Sequence, residues 1–342
     1  MALRMVFRRE DTERVRLAAA PDPLWELVLS LHCAQAETVS PPYAAWRRQV
    51  RTRCGDTGGS WLRRFALLRD LVPPRGDFPD FLTPAATDLD AGCEALACTP
   101  AAEVRADLAA TFATRPAPAW VRALADGDRA EVHRLTAAVR HCFALLVEPC
   151  WACVEDTVAA DRASRVHTMT GEGVGGLLAG LPGVIGWDGD TLVVRYPRNR
   201  TVFLGGRGLT LVPSYFCSGA PVTWIDPERP PVLVYPAEHR ETSPAELPAS
   251  LVPLLSRTRA ECLHLLRAPH TTSQLGRALG VSTGSASKQA AVLRQAGLIS
   301  STRAGGAVVH RVTALGTGLL TGAATVFPGT QRHVRSTSGT PC

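Results

Sequence analysis

The amino-acid sequence predicts an α+β protein: a mainly helical N-terminal region, then a small antiparallel sheet, then a compact C-terminal module of short helices and a β-hairpin. Three observations carry this. Apolar residues recur at helical spacing up to about residue 168, the period changes to that of strands from about residue 183, and positive charge gathers after residue 256.

The bulk properties agree with an ordered chain. At 342 residues, with 46% hydrophobic and 20% charged side chains, there is material for two or three globular domains. The start, "MALRMVFRREDTERV", is charged and leads into no long apolar run, and "CFALLVEPCWACV" is short and broken by Glu148 and Pro149. The expectation is a soluble cytoplasmic protein with no export signal and no membrane span. Ten scattered cysteines in a chain of this size fit a reduced compartment better than a disulfide framework.

The helical elements come first. "PLWELVLSLHCAQA" at 23–36 reads as an amphipathic helix, and helical patterns recur at 43–53, 59–71, 100–113 and 128–168 between proline-rich connections. Cys150 and Cys153 form a CxxC near the start of the last pattern. A zinc knuckle needs a second ligand pair, and no second CxxC or HxxxH exists, so this pair reads as structural. "GEGVGG" at 171–176 precedes no βαβ unit and reads as a loop at a helix boundary.

Strand-like runs follow: "GVIGW", the turn "DGD", "TLVVRYP", "TVFLGG", "LTLVPSYF", "PVTWI" and "PVLVYPA". Trp187, Tyr196, Phe203, Tyr215, Phe216, Trp224 and Tyr235 are the expected core of this sheet, and an apolar ligand cavity between sheet and helices would use the same residues. "EHRETSPAELPAS" reads as a linker or short helix. The resulting division is a helical region at 1–170, a β region at 171–250 completing a sensor or dimerisation domain, a module at 255–326 and a disordered tail at 327–342.

Charge sets the module apart. Residues 257–342 hold ten Lys or Arg against one acid, Glu261, while the rest is slightly acidic. Such a block is the electrostatic footprint of a partner for a polyanion. Its pattern is sharply punctuated. "SRTRAECLHLLRAPH" carries Cys262, Leu263 and Leu266 on one face and stops by Pro269. In "TTSQLGRALG", Thr271 and Gln274 have capping-box spacing, Leu275, Ala278 and Leu279 form a stripe, and Gly280 stops the helix. After a short turn Ser282 caps a third helix, with Ala286, Ala290 and Leu293 inward and Gly297 at its end.

The outward face of that third helix is small and polar: Gly284, Ser285, Ser287, Lys288 and Ala291, with Gln289 at the border. Lys288 is the only lysine of the chain. Small residues permit close approach to a major groove, hydroxyls and amides bond to base edges, and a cation bonds to guanine or phosphate. "LISSTR" and "AVVHRVT", joined through Gly305 and Gly306, then form a hairpin with Arg303 at its tip and Arg311 on its second strand. The module is therefore expected to be a winged helix-turn-helix domain. Its candidate DNA contacts are Thr271, Thr272, Ser282, Thr283, Ser285, Ser287, Lys288, Gln289, Arg294, Arg303 and Arg311. A final apolar stretch, "LGTGLLTGAATVF", reads as a helix packed on the module.

At these residues the segment resembles the ArsR-type winged-helix transcriptional regulators of bacteria. Leu275, Leu279 and Gly280 match the second helix of that family, and Ser282, Ser287, Leu293, Arg294, Ala296, Gly297 and Leu298 match its recognition helix and exit. Arg303, Gly305, His310 and Thr313 resemble its wing, and "LWE", "DFLTP" and "WDG" resemble a long N-terminal extension of some relatives. The resemblance implies a homodimer on an inverted repeat of double-stranded operator DNA and repression relieved by a signal such as a small-molecule effector. Ala290 and Gln289 depart from the pattern, and residues 263–341 contain no cysteine, so the metal-binding motif of the sensing members has no counterpart. No catalytic constellation, cofactor motif or metal site is expected. The alternative is an enzyme or ligand-binding protein carrying an appended DNA-binding module.

Overall fold

The computed structural model describes residues 1–38, 40–55, 60–74, 76–238, 251–267, 269–304 and 307–321. The chain divides into two compact units, Met1–Glu241 and Thr242–Cys342. The expected linker at 239–250, the Gly305–Gly306 turn and the expected tail at 327–342 lie outside the described residues.

The N-terminal unit opens with β1 (Ala2–Val6), α1 (Arg9–Glu13) and β2 (Val15–Leu17). Its helical body is α2 (Pro23–Gln35), α3 (Pro41–Arg53), α4 (Ala66–Leu71), α5 (Leu89–Ala97), α6 (Ala101–Thr111), α7 (Ala119–Ala125), α8 (Arg129–Leu146) and α9 (Trp151–Ala179). Asp22 starts α2 by accepting from the backbone N–H groups of Leu24 and Trp25, and Pro23 supplies a preformed first turn. The helix is apolar nearly all round and is correspondingly buried, packing on α5 and α8. The single helical pattern expected over 128–168 is two helices, broken at Glu148–Cys150, and the second runs on to Ala179. "GEGVGG" does mark a helix boundary, but as a kink where two helical stretches of α9 meet, with Gly173 at φ 72° and ψ −174°, rather than as an open loop. One 18-residue window of Arg129–Ala179 is apolar enough to cross a membrane by composition; 33% of it is buried, and Leu177 and Leu178 are core residues of this unit.

The strands are β3 (Val184–Trp187), β4 (Thr191–Arg195), β5 (Arg200–Phe203), β6 (Leu209–Ser214) and β7 (Val232–Pro236). They do not form the expected single antiparallel sheet. One sheet has the order β3-β4-β1-β5, with β1 antiparallel to β4 and parallel to β5. The other, β2-β6-β7, is wholly parallel. The physical reason lies in the runs themselves: β7 is buried along Val232–Tyr235, with Val232 and Val234 on the helical core and Leu233 and Tyr235 on a second core. A continuous apolar run marks a strand covered on both faces, as parallel sheets are. "PVTWI" forms no strand, only an isolated bridge from Val222 to Val234.

The aromatic assignment needs two corrections. Phe203 is 67% exposed, because its neighbour Val202 takes the inward position on β5. Tyr215, Phe216 and Trp224 belong to the helical core, since the chain beyond β6 turns back over α2, while Tyr235, Trp187 and Tyr196 do pack with the sheets. Buried acids tie that returning chain down. The Glu26 carboxylate accepts from Ser214 Oγ and from the Tyr215 and Phe216 N–H groups at 2.7–3.0 Å. Burial pushes this carboxyl up to about 7, and the three donors, which favour the ionised form, oppose a further rise.

The C-terminal unit contains α10 (Leu251–Leu255), α11 (Arg257–Leu265), β8 (His270–Thr271), α12 (Thr272–Leu279), α13 (Thr283–Gln295), β9 (Ile299–Ala304), β10 (Ala307–Val312) and α14 (Ala314–Thr321). Its core joins Leu251, Ala260, Leu263, Leu266, Leu275, Ala286, Ala290, Leu293, Ile299 and Leu320. Leu251 places the start of the unit before residue 255. Strands β8, β10 and β9 make a three-stranded antiparallel sheet in that order.

Candidate nucleic-acid interface

Two capped helices set the interface. Thr271 Oγ1 accepts from the Gln274 N–H at 3.2 Å while Gln274 Oε1 accepts from the Thr271 N–H at 2.8 Å, closing the capping box at the start of α12. Gly280 ends the helix in the left-handed region, φ 67°, and Ser282 Oγ accepts from the Ser285 N–H to begin α13. Gly276 lets the two helices meet: a Cβ there would lie 3.1 Å from the Val281 carbonyl oxygen.

With Ala286, Ala290 and Leu293 at 0–1% exposure, the rotation of α13 is fixed. Thr283, Gly284, Ser287, Lys288 and Arg294 are exposed, and Ser285 and Ala291 are half-buried. Around Gly284 a Cβ would meet nothing within 4 Å, so the backbone beside Lys288 is open to approach. Val292, 41% exposed, also lies on this side. Glu261, the one acid among the described residues of this unit, is engaged by Arg257 Nε at 3.0 Å. Among the described residues, Arg277, Lys288, Arg294, Arg303 and Arg311 carry no ion pair within the unit.

The remaining expected contacts separate into different places. Thr271 is committed to its cap, and Thr272 Oγ1 lies 3.0 Å from His310 Nε2, so both serve the base of α12. Gln289 accepts from Arg259 Nε at 3.2 Å and faces α11 more than the outward side. Arg303 pairs with Val308 and Arg311 with Ser300 across the hairpin. Because side chains alternate along a strand, the two arginines sit on opposite faces. Arg303 shares its face with His310 and Ile299, turned toward the helices; Arg311 lies on the other.

No family model, curated protein or solved structure matches the chain. Sequence reasoning missed the role of His310, which is 3% exposed and flanked by Ser301 Oγ at 2.8 Å on Nδ1 and by Thr272 on Nε2. Burial, with Arg294 nearby, holds its imidazole below the ordinary range. The available signal was positional: His310 occupies the inward register of a strand whose alternate residues, Val308 and Val312, are apolar.

The CxxC lies at the start of α9, with Cys150 as its N-cap. Cys150 Sγ donates to the Val147 carbonyl at 3.2 Å, and burial pushes the thiol up to about 12. A thiol held neutral is a poor nucleophile and a poor metal ligand. Among the described residues no cluster of His, Cys, Asp or Glu is arranged to hold a metal.

Proposed function

We propose that the C-terminal unit is a winged helix-turn-helix that binds double-stranded DNA. The protein is then a transcriptional regulator, a repressor acting as a homodimer, whose N-terminal unit senses a small ligand or mediates dimerisation. The observation that carries this reading is the outward face of α13. It is small and hydroxyl-bearing, is centred on Lys288, which has no ion pair among the described residues, and belongs to a unit in which the one described acid, Glu261, is already paired. Around it, β9 and β10 supply the hairpin that would act as the wing, with Arg303 on the side of the helices.

Thr283, Ser287 and Lys288 are the contacts best placed to reach base edges, while Arg303 is placed for phosphate. The open backbone at Gly284 favours close approach. The test is selection of genomic fragments by the full chain, followed by a salt titration of the bound site. The logarithm of affinity should fall by about 0.9 for each tenfold rise in salt per phosphate contacted. Salt-independent binding, or no binding at low salt, overturns the assignment.

A further inference from the structure

The sheet β3-β4-β1-β5 buries one face and leaves the other open. Leu3, Met5, Leu192, Val194 and Val202 point into the core, so alternation turns Arg4, Val6, Val193, Arg195, Thr201 and Phe203 the other way. Register fixes their neighbours. Arg4 stands opposite Val193 on β4 and Thr201 on β5, Ala2 opposite Arg195, and Val6 opposite Phe203. Arg195, Arg4 and Phe203 therefore fall on one diagonal across three strands, at steps of about 7–8 Å.

This diagonal is open to a partner. Arg4 and Arg195 are exposed, and among the described residues their guanidiniums make no ion pair or hydrogen bond. Phe203 is 67% exposed and packs on no other ring among the described residues. Beside it, at the end of β5, Arg207 donates to the Phe203, Leu204 and Glu228 carbonyls at 2.7–2.8 Å, so its charge is held there without a carboxylate. No Asp or Glu lies on the four strands. Asp188 and Asp190 close the turn before β4, where both accept from Thr191, at a corner off the diagonal.

We propose that this face binds single-stranded DNA, with a base stacked on Phe203 and backbone phosphates on Arg4 and Arg195. A strand with unpaired bases needs both parts: every base has a π-face, and each phosphate attracts a cation. A duplex keeps its bases stacked on one another and gives Phe203 nothing. A second copy of the chain, laid face to face, would set arginines against arginines. An anionic lipid surface would meet the arginines, but Phe203 and Ile185, 61% exposed, stand at opposite edges of the sheet and form no apolar cluster to enter it. The outward positions offer one exposed hydroxyl, Thr201, and no carboxamide to single out a 2′-OH, so DNA is assigned rather than RNA.

The site is on the N-terminal unit and does not rest on the winged-helix reading. Fluorescence anisotropy of the full chain with a labelled oligothymidylate of about 12 nucleotides tests it, in excess unlabelled duplex that occupies the C-terminal unit. The wild type should bind saturably. Phe203→Ala should weaken binding about 5- to 150-fold, and Phe203→Trp should keep it. Arg4→Gln and Arg195→Gln should each lower the salt slope by about 0.7. All three positions are exposed, so melting should be unchanged. Ultraviolet cross-linking of a bromouracil-containing strand should mark the β5 peptide. Oligouridylate should bind no more tightly than oligothymidylate. No saturable binding, equal binding by Phe203→Ala, displacement by duplex, tighter binding of oligouridylate, or Phe203-dependent binding to phosphatidylserine vesicles in place of the strand overturns the proposal. A chain that binds the strand but no duplex overturns the regulator reading alone, so the two failures are distinguishable.

Discussion

Arg259 Nε donates to Gln289 Oε1 across 3.2 Å, joining α11 to the border of the outward face of α13. The contact makes Gln289 part of the scaffold that aims Lys288 rather than a reader in its own right. Gln289→Ala should lower stability by about 0.5–1.5 kcal/mol in urea denaturation while leaving discrimination between operator and random DNA unchanged. Lost discrimination at full stability would return Gln289 to the groove.

Lys288→Ala makes the opposite separation. The side chain is exposed and unpaired, so stability should be unaffected, whereas discrimination should fall by about 1–3 kcal/mol if the contact is to a base. Competition binding against random duplex measures it. Equal affinity for both DNAs before and after substitution would mean that the face reads nothing.

Arg303 and Arg311 were one group in the sequence and are two in the structure, on opposite faces of the hairpin. Arg303→Ala should weaken binding about equally on all sequences and lower the salt slope by about one. Arg311→Ala should do much less. Equal losses would show that the hairpin does not dock by its helix-facing side.

Gly284 offers a test in which stability and function diverge. Its Cβ position is empty, so Gly284→Ala should stabilise α13, by up to about 1 kcal/mol, by removing backbone freedom from the unfolded chain. Binding to DNA should nonetheless weaken, because the added methyl stands between backbone and groove. Calorimetric melting and gel shift on the same preparation decide it; stronger binding would place the groove elsewhere.

The pH response of the C-terminal unit follows from His310 and His264. Burial lowers both, helped by Arg294 and Arg267 respectively. Below about 6.5 the unfolded chain takes up protons that the folded unit refuses, so their contribution to stability is present above that range and lost as pH falls through it. Hydrogen exchange of β10 and α12 amides in the full chain should show less protection at about pH 5 than at about pH 7.5, and His310→Gln should flatten the trend. Local readout matters, because Glu26 and Asp80 in the N-terminal unit, pushed up to about 7 and about 6, lose stability as pH rises. Protection that grows on acidification would contradict the burial of these rings.

What could be read in advance was local. The caps at Thr271 and Ser282 and the stop at Gly280 are each settled within a few residues, and each stands where its spacing placed it. The inward stripe of α13 likewise needs only the helical period. What could not be read was pairing at a distance. β1 alternates inward Leu3 and Met5 with outward Arg4, yet its partners are nearly two hundred residues away, and no periodicity names them. Parallel β2-β6-β7 pairing is hidden for the same reason. The diagonal of Arg195, Arg4 and Phe203 and the Arg259 tether arise from pairing and packing between elements, to which a single strand or helix pattern is blind.

The position of β1 has a consequence for how the chain is made. It lies between β4 and β5, so this strand is closed in only by strands that end at Arg195 and Phe203, nearly two hundred residues later in the chain. At a ribosomal rate of about 5–20 residues per second, Leu3 and Met5 wait on the order of 10–40 s with no sheet to enter. The helical body from α2 to α8 can gather during that interval, whereas β1 waits for its partners as an unpaired apolar edge. Slow synthesis would lengthen its exposure, and long-range closure of this kind is the step most open to aggregation.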